Sequence, residues 1–376
     1  MKLAIISHTE HFLDEEGNPV GWGATVREIN NLTKIFSKII HIAPLHEGKA
    51  PDSSLKYTSE KIEFVALQPS GGQNLLSKLM IFYTVPFNLK IIHNKIKEVD
   101  YVQFRGPTNL GIYMIPYLSF RKKPKKWFKY AGNWVQENPP ASYAFQRWWL
   151  KSNFQRSIVT VNGKWPDQEP HVLSFENPCI TSKEYEEAKI IASAKEFSDK
   201  LTICFVGRVE EAKGVGRIID AFKFYKGDNI EKIIFVGDGP EKKIFETRAE
   251  GLSVKYNFTG SLSRYKLAEV YKSAHIFCLP STASEGFPKV IAEAAAYGCV
   301  PVVSNISSIG QYVIHNKNGI LLEKVNPNYI LKIFIQLLED RNKLKYLSSN
   351  VVNIAEAFTF DNYNYRITHE VIPQLK

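Results

Sequence analysis

The sequence predicts an α/β protein built from two doubly wound domains, each with a parallel sheet covered by helices on both faces. The chain has 376 residues, which is enough for two separate hydrophobic cores. Short apolar runs alternate with amphipathic helical patterns along the whole length, as parallel sheets require. Glycines follow several of these runs, where a chain leaving a strand needs a residue without a Cβ atom.

In the first half, the apolar run Leu3–Ile6 predicts the opening strand. A polar loop at 8–23 and a helix with apolar residues at helical spacing should follow. The later strands of this half are expected at Ile39–Leu45, Ile62–Leu67, Tyr101–Phe104, Trp127–Tyr130 and Ile158–Val161.

In the second half the alternation is clearer. The predicted strands are Leu201–Val206, Lys232–Val236, Val254–Phe258, His275–Leu279 and Val300–Ser304. A domain boundary is expected at Phe175–Pro178, ahead of the charged helix Lys183–Lys200. Since ligands bind at the carboxyl ends of strands in such sheets, two tandem domains should place their ligand sites across a cleft.

Composition argues against several classes of protein. With 44% hydrophobic and 23% charged residues, the chain resembles ordinary globular proteins. No run reaches the ~18 apolar residues of a membrane span, and His8 interrupts the first apolar run before a secretory core could form. We therefore expect a cytoplasmic protein whose cysteines are reduced core thiols. His8 and His11 could form half of a metal site, but with no third ligand nearby in sequence we expect no metal.

Positive charge concentrates in the first half. The net charge is +10, and residues 1–180 hold 22 basic and 15 acidic side chains. Six cations and three aromatic residues fall in the run 121–130. Two interpretations stay open, a solvated loop leading into a strand or a patch that faces an anionic membrane or acceptor. No nucleic-acid-binding motif is found, so nucleic acid is not an expected partner.

The segment Ser284–Glu293 carries the strongest chemical signal. It follows a strand and opens a helix, with Pro288 suited to the first helical position. The amides of Gly286, Phe287 and Lys289 could then bind an anion, supported by the helix dipole. Two carboxylates beside an anion site, those of Glu285 and Glu293, would suit the hydroxyls of a ligand such as a nucleotide sugar. They could instead be an N-cap residue and a surface helix residue.

A second signal follows the strand Leu201–Val206. Gly207 and Arg208 lie at its end, and Lys213 lies at the start of the next helix. Two cations at this edge could neutralise a leaving diphosphate. Alternatively, Arg208 and Lys213 could merely pair with Glu210 and Glu211, which would contribute little.

Four motifs in this order and spacing resemble those of family 4 glycosyltransferases. They are Gly207-Arg208-x4-Lys213-Gly214, Val236-Gly237-Asp238-Gly239-Pro240, Phe258-Thr259-Gly260, and Glu285-x7-Glu293 with its Gly-Phe-Pro insert. The resemblance implies the GT-B fold and a metal-independent retaining transfer from a nucleotide diphosphate sugar. It also implies an acceptor-binding domain at 1–178, a donor-binding domain at 179–357 and a terminal helix at 358–376 that crosses back to the first.

The resemblance implies roles by position. Arg208 and Lys213 would hold the diphosphate, Glu293 the ribose diol, and Glu285 with the following backbone the transferred sugar. The turn Gly260–Arg264, which includes Leu262, would border the base. Gly21 and Gly23 resemble a glycine loop that approaches the diphosphate, although a plain flexible turn would look the same.

The chain also departs from the family pattern. Histidines expected after the fourth strand and near the acceptor are replaced by Gln103-Phe104-Arg105 and Tyr130–Trp134, so His8 or His11 is considered for the acceptor side. No Asp-x-Asp motif is present, which disfavours a metal-bound diphosphate. We expect a hexosyltransferase acting on a glycan or lipid-linked glycan in surface polysaccharide or lipopolysaccharide synthesis, peripheral to the inner membrane. A sugar-nucleotide epimerase and a non-catalytic scaffold subunit stay open as alternatives.

Overall fold

The computed structural model describes residues 1–69, 75–197 and 199–375, with the backbone alone for 75–83. The chain forms two compact units, Met1–Glu176 with Tyr363–Lys376 and Asn177–Asn362. Each unit contains its own parallel sheet, as predicted. The assignment of acceptor binding to residues 1–178, of donor binding to residues 179–357 and of a crossing helix to residues 358–376 stays a prediction.

The first unit is built on a seven-stranded parallel sheet in the order β10-β9-β8-β7-β1-β4-β6. Its strands are β1 (Lys2–Ile6), β4 (Lys38–Pro44), β6 (Ile62–Leu67), β7 (Tyr101–Gly106), β8 (Lys125–Tyr130), β9 (Ile158–Val161) and β10 (Val172–Ser174). All strands predicted for this half are present, with bounds that shift by one or two residues. The short strand β10 was not predicted because three residues leave too little periodicity to detect.

A small antiparallel sheet was also not predicted. It consists of β2 (His11–Leu13), β3 (Pro19–Trp22) and β5 (Ser54–Lys56). The first two of these strands lie within residues 8–23, for which the sequence predicted a loop. The polar side chains of this segment mask the alternation that marks longer strands.

Helices and the end of the chain cover the large sheet of this unit. The helices are α1 (Gly23–Leu32), α2 (Leu75–Lys95), α3 (Gly111–Ser119) and α4 (Ala141–Lys151). The terminal segment contributes Tyr363, Ile367, Val371 and Leu375 to the same apolar cluster as Leu3 and Ile29. The end of the chain is therefore part of the core of the first unit.

The second unit has a six-stranded parallel sheet in the order β13-β12-β11-β14-β15-β16. Its strands are β11 (Leu201–Val206), β12 (Ile230–Val236), β13 (Tyr256–Gly260), β14 (Ile276–Leu279), β15 (Val300–Ser304) and β16 (Ile320–Leu322). Its helices are α5 (Ser182–Ser193), α6 (Val215–Phe222), α7 (Lys242–Ala249), α8 (Arg264–Ser273), α9 (Lys289–Ala296), α10 (Ile309–Tyr312), α11 (Pro327–Glu339) and α12 (Arg341–Val351). Helix α13 (Phe360–Arg366) begins in this unit and ends in the first.

Short 3₁₀-helical and π-helical segments supplement these elements in both units. They are Ile96–Glu98, Glu211–Lys213, Val352–Phe358, Ile367–Val371 and Ile372–Gln374. All four cysteines are buried with free thiols. Among the described residues, no helix combines the length and the hydropathy that crossing a bilayer requires.

Glycines let the loops at the carboxyl edge of the second sheet approach each other closely. Gly237 has φ +131°, and a Cβ atom there would lie 1.8 Å from the carbonyl oxygen of Gly207. Gly214 has φ +90°, and its Cβ atom would lie 2.4 Å from the carbonyl oxygen of Pro280. Side chains at these two positions would push apart the loops that carry the candidate site.

Candidate active site

Two loops at the carboxyl edge of the second sheet build the candidate site. The loop 207–214 follows β11 and the loop 280–288 follows β14, and these two strands are hydrogen-bonded neighbours. The amide of Thr282 donates to the carbonyl of Ala212 at 2.8 Å. Arg217 Nη1 donates to the carbonyls of Glu211 and Pro280, both at 3.1 Å. The loops are therefore fastened to each other by several hydrogen bonds.

These loops bring Lys213 and Glu285 into direct contact. Lys213 Nζ donates to Glu285 Oε1, although the two residues are 72 positions apart. The Lys213 side chain is only 10% exposed, whereas that of Glu285 is 37% exposed. The ammonium is thus held in place by buried surroundings, while the carboxylate faces outward to where a ligand could reach it.

Arg208 lies on the same loop but is much more open. Its side chain is 68% exposed, and its Nε lies 3.2 Å from Glu210 Oε2. The simple alternative, in which both cations pair with their sequence neighbours, is therefore right for Arg208 and wrong for Lys213. Glu211 Oε2 instead lies 3.6 Å from Arg248 Nη1. The side chains of Glu211 and Lys213 therefore have different partners, although both residues lie in the turn Glu211–Lys213.

The segment after Glu285 is anchored from both sides. Ser307 Oγ and Ser308 Oγ donate to the carbonyl of Gly286 at 2.7 and 2.8 Å. The buried ring of Phe287 stacks on Phe358 with 4.6 Å between centroids. Within the described part of the chain, neither the Gly286 amide nor the Phe287 amide donates a hydrogen bond. Both amides are available to an anion.

Helix α9 begins one residue later than the sequence suggested. Pro288 has the extended backbone of an N-cap residue, with φ −68° and ψ 110°, and Lys289 is the first helical residue. The proline can adopt this conformation because its fixed φ also suits extended backbone.

Glu293, on helix α9, is bound inside the second unit. Its Oε1 lies 2.6 Å from Arg264 Nη1, and Tyr271 donates its hydroxyl to Oε2 at 3.4 Å. Burial lowers the pKa of Arg264, but the carboxylates of Glu293 and Glu184 raise it further, so the net pKa lies above its usual value. Glu293 is thus neutralised by a permanently charged guanidinium. Sequence reasoning missed this pairing, because Arg264 and Glu293 lie in different motifs.

Gly260 and Leu262 lie close to Arg264 in sequence, at the carboxyl edge of the second sheet. Gly260 ends β13 with φ +71°, and its carbonyl accepts from the amide of Gly237 at 2.9 Å. The Leu262 side chain packs against the core of the second unit.

In the first unit, Gly21 and Gly23 do not form a flexible turn. Gly21 lies within β3, and a Cβ atom there would lie 2.4 Å from His11 Nε2. Gly23 is the first residue of α1, and its Cβ atom would lie 2.7 Å from the carbonyl oxygen of Ser53. The absence of side chains at both glycines is therefore explained by packing. A contact with the diphosphate stays a prediction.

His11 belongs to a buried chain of hydrogen bonds. Its Nδ1 bonds to the carbonyl of Thr9 at 2.8 Å and its Nε2 to the Tyr57 hydroxyl at 2.8 Å. The Tyr57 hydroxyl also bonds to His41 Nδ1 at 2.5 Å, and His41 Nε2 bonds to Ser7 Oγ at 2.8 Å.

The carbonyl of Thr9 can only accept, and this sets the direction of every bond in the chain. His11 Nδ1 donates to it, Tyr57 donates to His11 Nε2, His41 Nδ1 donates to Tyr57, and Ser7 donates to His41 Nε2. Both imidazoles are neutral, since burial lowers the pKa of His11 to about 4 and that of His41 well below its usual value. His11 has no free ring nitrogen for an acceptor. An acceptor-side role for His8 stays a prediction.

The basic run 121–130 proves only partly accessible. Residues 125–130 form β8, where Lys126 and Lys129 are buried together with the three aromatic residues. Lys129 Nζ lies 2.6 Å from Glu28 Oε1. The prediction that the whole run faces a membrane is therefore wrong for its second half, because β8 lies inside the sheet between β7 and β9 and side chains on both of its faces are buried.

No group of three or more histidine, cysteine, aspartate or glutamate side chains that could hold a metal occurs among the described residues. The charged groups of the candidate site are instead Arg208, Lys213, Glu285 and the pair Arg264–Glu293. Such a set can bind an anion through its cations and hydroxyl groups through its carboxylates.

Comparisons with known proteins agree with this chemistry. Residues 186–353 match the family model for glycosyl transferases group 1. An uncharacterized glycosyltransferase of Methanocaldococcus jannaschii is 30% identical over 175 residues, which are 46% of this chain and 44% of that protein. Alpha-monoglucosyldiacylglycerol synthase of Acholeplasma laidlawii is 28% identical over 159 residues, or 41% of this chain and 38% of the synthase. The matches thus span less than half the length of these relatives.

A solved structure shares the fold over nearly the whole chain. Anabaena HepE in complex with UDP and glucose superposes with a TM-score of 0.67 at 17% identity, covering 98% of each chain. This likeness confirms the predicted pair of Rossmann-like sheets as the GT-B fold. Residues 186–353, which carry the four motifs and the joined loops of the second sheet, thus match the glycosyl transferases group 1 family, and the resemblance to family 4 glycosyltransferases is confirmed over this part of the chain.

Proposed function

We propose that the protein transfers a hexose from a nucleotide diphosphate sugar to an acceptor hydroxyl, with retention of the anomeric configuration. One observation carries this proposal. Two loops place the ammonium of Lys213 against Glu285, next to the two available amides of Gly286 and Phe287. A cation, two amide donors and an outward carboxylate form a site for a phosphate bonded to a sugar.

Lys213 and Arg208 have different parts in this proposal. The Lys213 ammonium has three donors and is held rigidly, so it can bind a phosphate oxygen while keeping its contact with Glu285. Arg208 is exposed and, within the described ranges of the chain, forms an ion pair with Glu210. A surface pair of this kind exchanges readily for a phosphate. Both cations would stabilise the negative charge that develops as the diphosphate leaves.

The same geometry supports a transfer without a protein base. As the bond between the sugar and the diphosphate breaks, the leaving oxygen gains charge beside Lys213 and the amides of Gly286 and Phe287. That oxygen can then accept the proton of the acceptor hydroxyl while the acceptor oxygen bonds to the anomeric carbon. Because this bond forms on the face that the diphosphate leaves, the configuration is retained. Glu285 would orient the sugar by accepting hydrogen bonds from its hydroxyls.

The nucleoside would lie farther along the same sheet edge. Glu293 is already bound by Arg264 and Tyr271, and each of its oxygens has a second lone pair for the ribose diol. The turn from Gly260 through Leu262 would border the base, and Gly207, Pro288 and Lys289 would line the diphosphate. Gly21 and Gly23 would contribute from the first unit.

The relatives support a choice of substrates. HepE binds UDP and glucose, so UDP-glucose is the first donor to test. The Acholeplasma relative is named for the synthesis of a glycolipid, which supports a lipid-linked acceptor, peripheral attachment to the cytoplasmic face of a membrane and a place in surface glycan synthesis. Arg208, Lys213 and Glu285 would act in catalysis, and no metal would be needed.

The variant Lys213→Ala tests the proposal. We expect kcat/KM for donor turnover to fall by about 10²–10³-fold, the usual cost of removing one preorganised donor to the developing charge. Lys243→Ala, which removes an exposed lysine of helix α7, is the matched control and should retain full activity. UDP-sugars are first screened by thermal stabilisation to identify the donor. A loss below about tenfold, or 1.4 kcal/mol, would show that Lys213 does not stabilise the leaving group.

A further inference from the structure

Four aromatic side chains form a continuous surface on the first unit, which we call the aromatic face: Phe120, Trp148, Trp149 and Phe154. Phe120 is 83% exposed, Trp148 53% and Phe154 49%. Trp149 connects the others, with ring centroids 6.3 Å from Phe120, 6.3 Å from Trp148 and 5.4 Å from Phe154. Single exposed aromatic residues are common on protein surfaces, but a contiguous group indicates an interaction site.

The aromatic face is held rigidly from behind. Trp149 donates its indole N–H to Ser119 Oγ at 3.0 Å. Arg121, next to Phe120, donates to the Tyr117 hydroxyl at 2.8 Å and lies over the ring of Tyr117. Lys126 Nζ donates to the carbonyl of Arg121 at 2.6 Å. The buried lysine of β8 therefore supports the loop that presents Phe120, and binding would order few further side chains.

Positive charge predominates in the part of the chain that carries the aromatic face. Residues 101–166 contain 11 lysines and arginines and one acidic residue, Glu137, and Asp167, which follows directly, interacts with Lys151. Exposed cations lie directly beside the rings in sequence, namely Lys122, Lys123, Lys151 and Arg156. The preceding acidic residue, Asp100, accepts a hydrogen bond from the amide of Lys2 at 2.7 Å.

The charge decides between the possible occupants. A two-fold dimer through this surface would bring each face against itself, so lysines would oppose lysines. An anionic bilayer matches both the rings and the cations of the aromatic face. Aromatic side chains bind at the depth of the headgroups, and each nearby cation is attracted by the negative surface potential. A flat, extended partner also suits a face of protruding rings better than a groove-binding peptide does.

We propose that the aromatic face docks the protein on an anionic membrane, with Phe120, Trp148 and Phe154 inserted among the headgroups and Lys122, Lys123, Lys151 and Arg156 bound to lipid phosphates. This surface replaces the basic run 121–130 as the membrane contact, because the second half of that run is buried in β8. The inference deepens the proposed function by naming how the enzyme reaches a lipid-linked acceptor. It does not depend on the donor site being correct.

The test compares two double variants of the full chain that have equal changes in charge and aromatic content. Phe120→Ser with Lys122→Glu disrupts the face. Phe224→Ser with Lys223→Glu makes the same changes at an exposed site of the second unit, where Phe224 is 74% exposed. Vesicles of pure phosphatidylcholine, and of phosphatidylcholine with a third phosphatidylglycerol, are sedimented with each protein at low and moderate salt.

We expect the natural protein to bind the anionic vesicles, less at higher salt, and the first variant to lose at least tenfold in partition coefficient. The second variant should bind like the natural protein. Trp148→Phe should keep binding but show less fluorescence quenching by brominated lipids, because it keeps an aromatic ring and removes the more exposed of the two indoles on the face. Melting temperatures and turnover of the water-soluble donor show that the variants are folded and separate failure of docking from failure of the proposed reaction.

Three results would overturn the proposal. They are no binding to anionic vesicles, equal losses in both double variants, or a change of oligomeric state in the first variant alone. The last result would assign the face to a contact between copies of the chain.

Discussion

Two glutamates, one in each unit, pair with a lysine from a distant part of the chain, yet the surroundings of the pairs differ. Glu28 is 3% exposed, and its Oε1 contacts Lys129 Nζ at 2.6 Å and Arg105 Nη2 at 2.8 Å. The hydroxyl of Tyr363 also donates to it, at 2.9 Å. Glu285 meets Lys213 and is 37% exposed.

A structural ion pair thus differs from a candidate catalytic one in whether a ligand can reach its carboxylate. The Glu28 cluster draws its members from α1, β7, β8 and the terminal segment, so it joins parts of the first unit and has no open side. The Lys213–Glu285 pair is formed by two loops, and its carboxylate is accessible. An accessible pair beside free amides can exchange partners with a ligand, whereas a saturated buried pair can only stabilise.

The largest expected effect comes from removing the two carboxylates in turn. Glu28→Ala leaves Arg105 and Lys129 buried without their shared partner, and we expect a loss of about 3–5 kcal/mol in the apparent free energy of unfolding. Glu285→Ala should cost less, about 1–3 kcal/mol, because the Lys213 ammonium loses its partner but the carboxylate that is removed was 37% exposed, and it should abolish most activity. Urea unfolding and donor turnover measure the two effects. Equal destabilisation by both substitutions would show that the Glu285 pair is as structural as the Glu28 cluster.

The second effect is a dependence of stability on pH through the His11 network. Burial holds the pKa of His11 at about 4, and the pKa of His41 is also lowered. In the unfolded chain both are near ~6.5, so between these values the unfolded chain binds more protons.

Stability is therefore full above the unfolded pKa and falls as the pH drops towards 4, by about 1.4 kcal/mol per pH unit for each histidine. Unfolding from pH 7.5 to 4.5 measures the slope. Burial also lowers the pKa of His275 in the second unit to about 4, so this histidine makes stability fall over the same pH range. His11→Gln should thus show a shallower slope by about one proton, and an unchanged slope would contradict a buried neutral His11.

The smallest effect concerns the glycine beside that network. In Gly21→Ala the new methyl group would meet the His11 ring at 2.4 Å, and we expect a loss of about 1–3 kcal/mol from overpacking. Gly251→Ala is the control, since its Cβ atom would have a single neighbour, Lys223 Cε at 3.9 Å. If Gly21→Ala keeps full stability yet loses donor binding, Gly21 is a ligand-contacting glycine and the packing explanation is wrong.

Much of the architecture could be read from the apolar runs. Strands such as β1 and β11 consist almost entirely of apolar residues, and a parallel strand that is buried on both faces requires such a run whatever surrounds it. Gly207, Gly237 and Gly260 mark the ends of adjacent strands for the same local reason. The small sheet β2-β3-β5 was missed because its strands have three or four residues and polar neighbours.

The ion-pair partners of charged side chains could not be predicted from such local patterns. Lys213 lies two residues from Glu211 in sequence and pairs with Glu285, 72 positions away. Glu293 pairs with Arg264, and Lys126 and Lys129 turn out to be buried. Each of these depends on which loops the sheet order brings together, which is a long-range property.

Residue type and spacing thus defined the sheets, the family motifs and the candidate residues, because backbone conformation and apolar periodicity are local. The folded chain alone decided which carboxylate is saturated and which is accessible. It also decided that aromatic rings from the C-cap of α3, from α4 and from the turn after α4 form one surface. Electrostatic and packing energies depend on distances between residues far apart in sequence, and those distances exist only once the chain has folded.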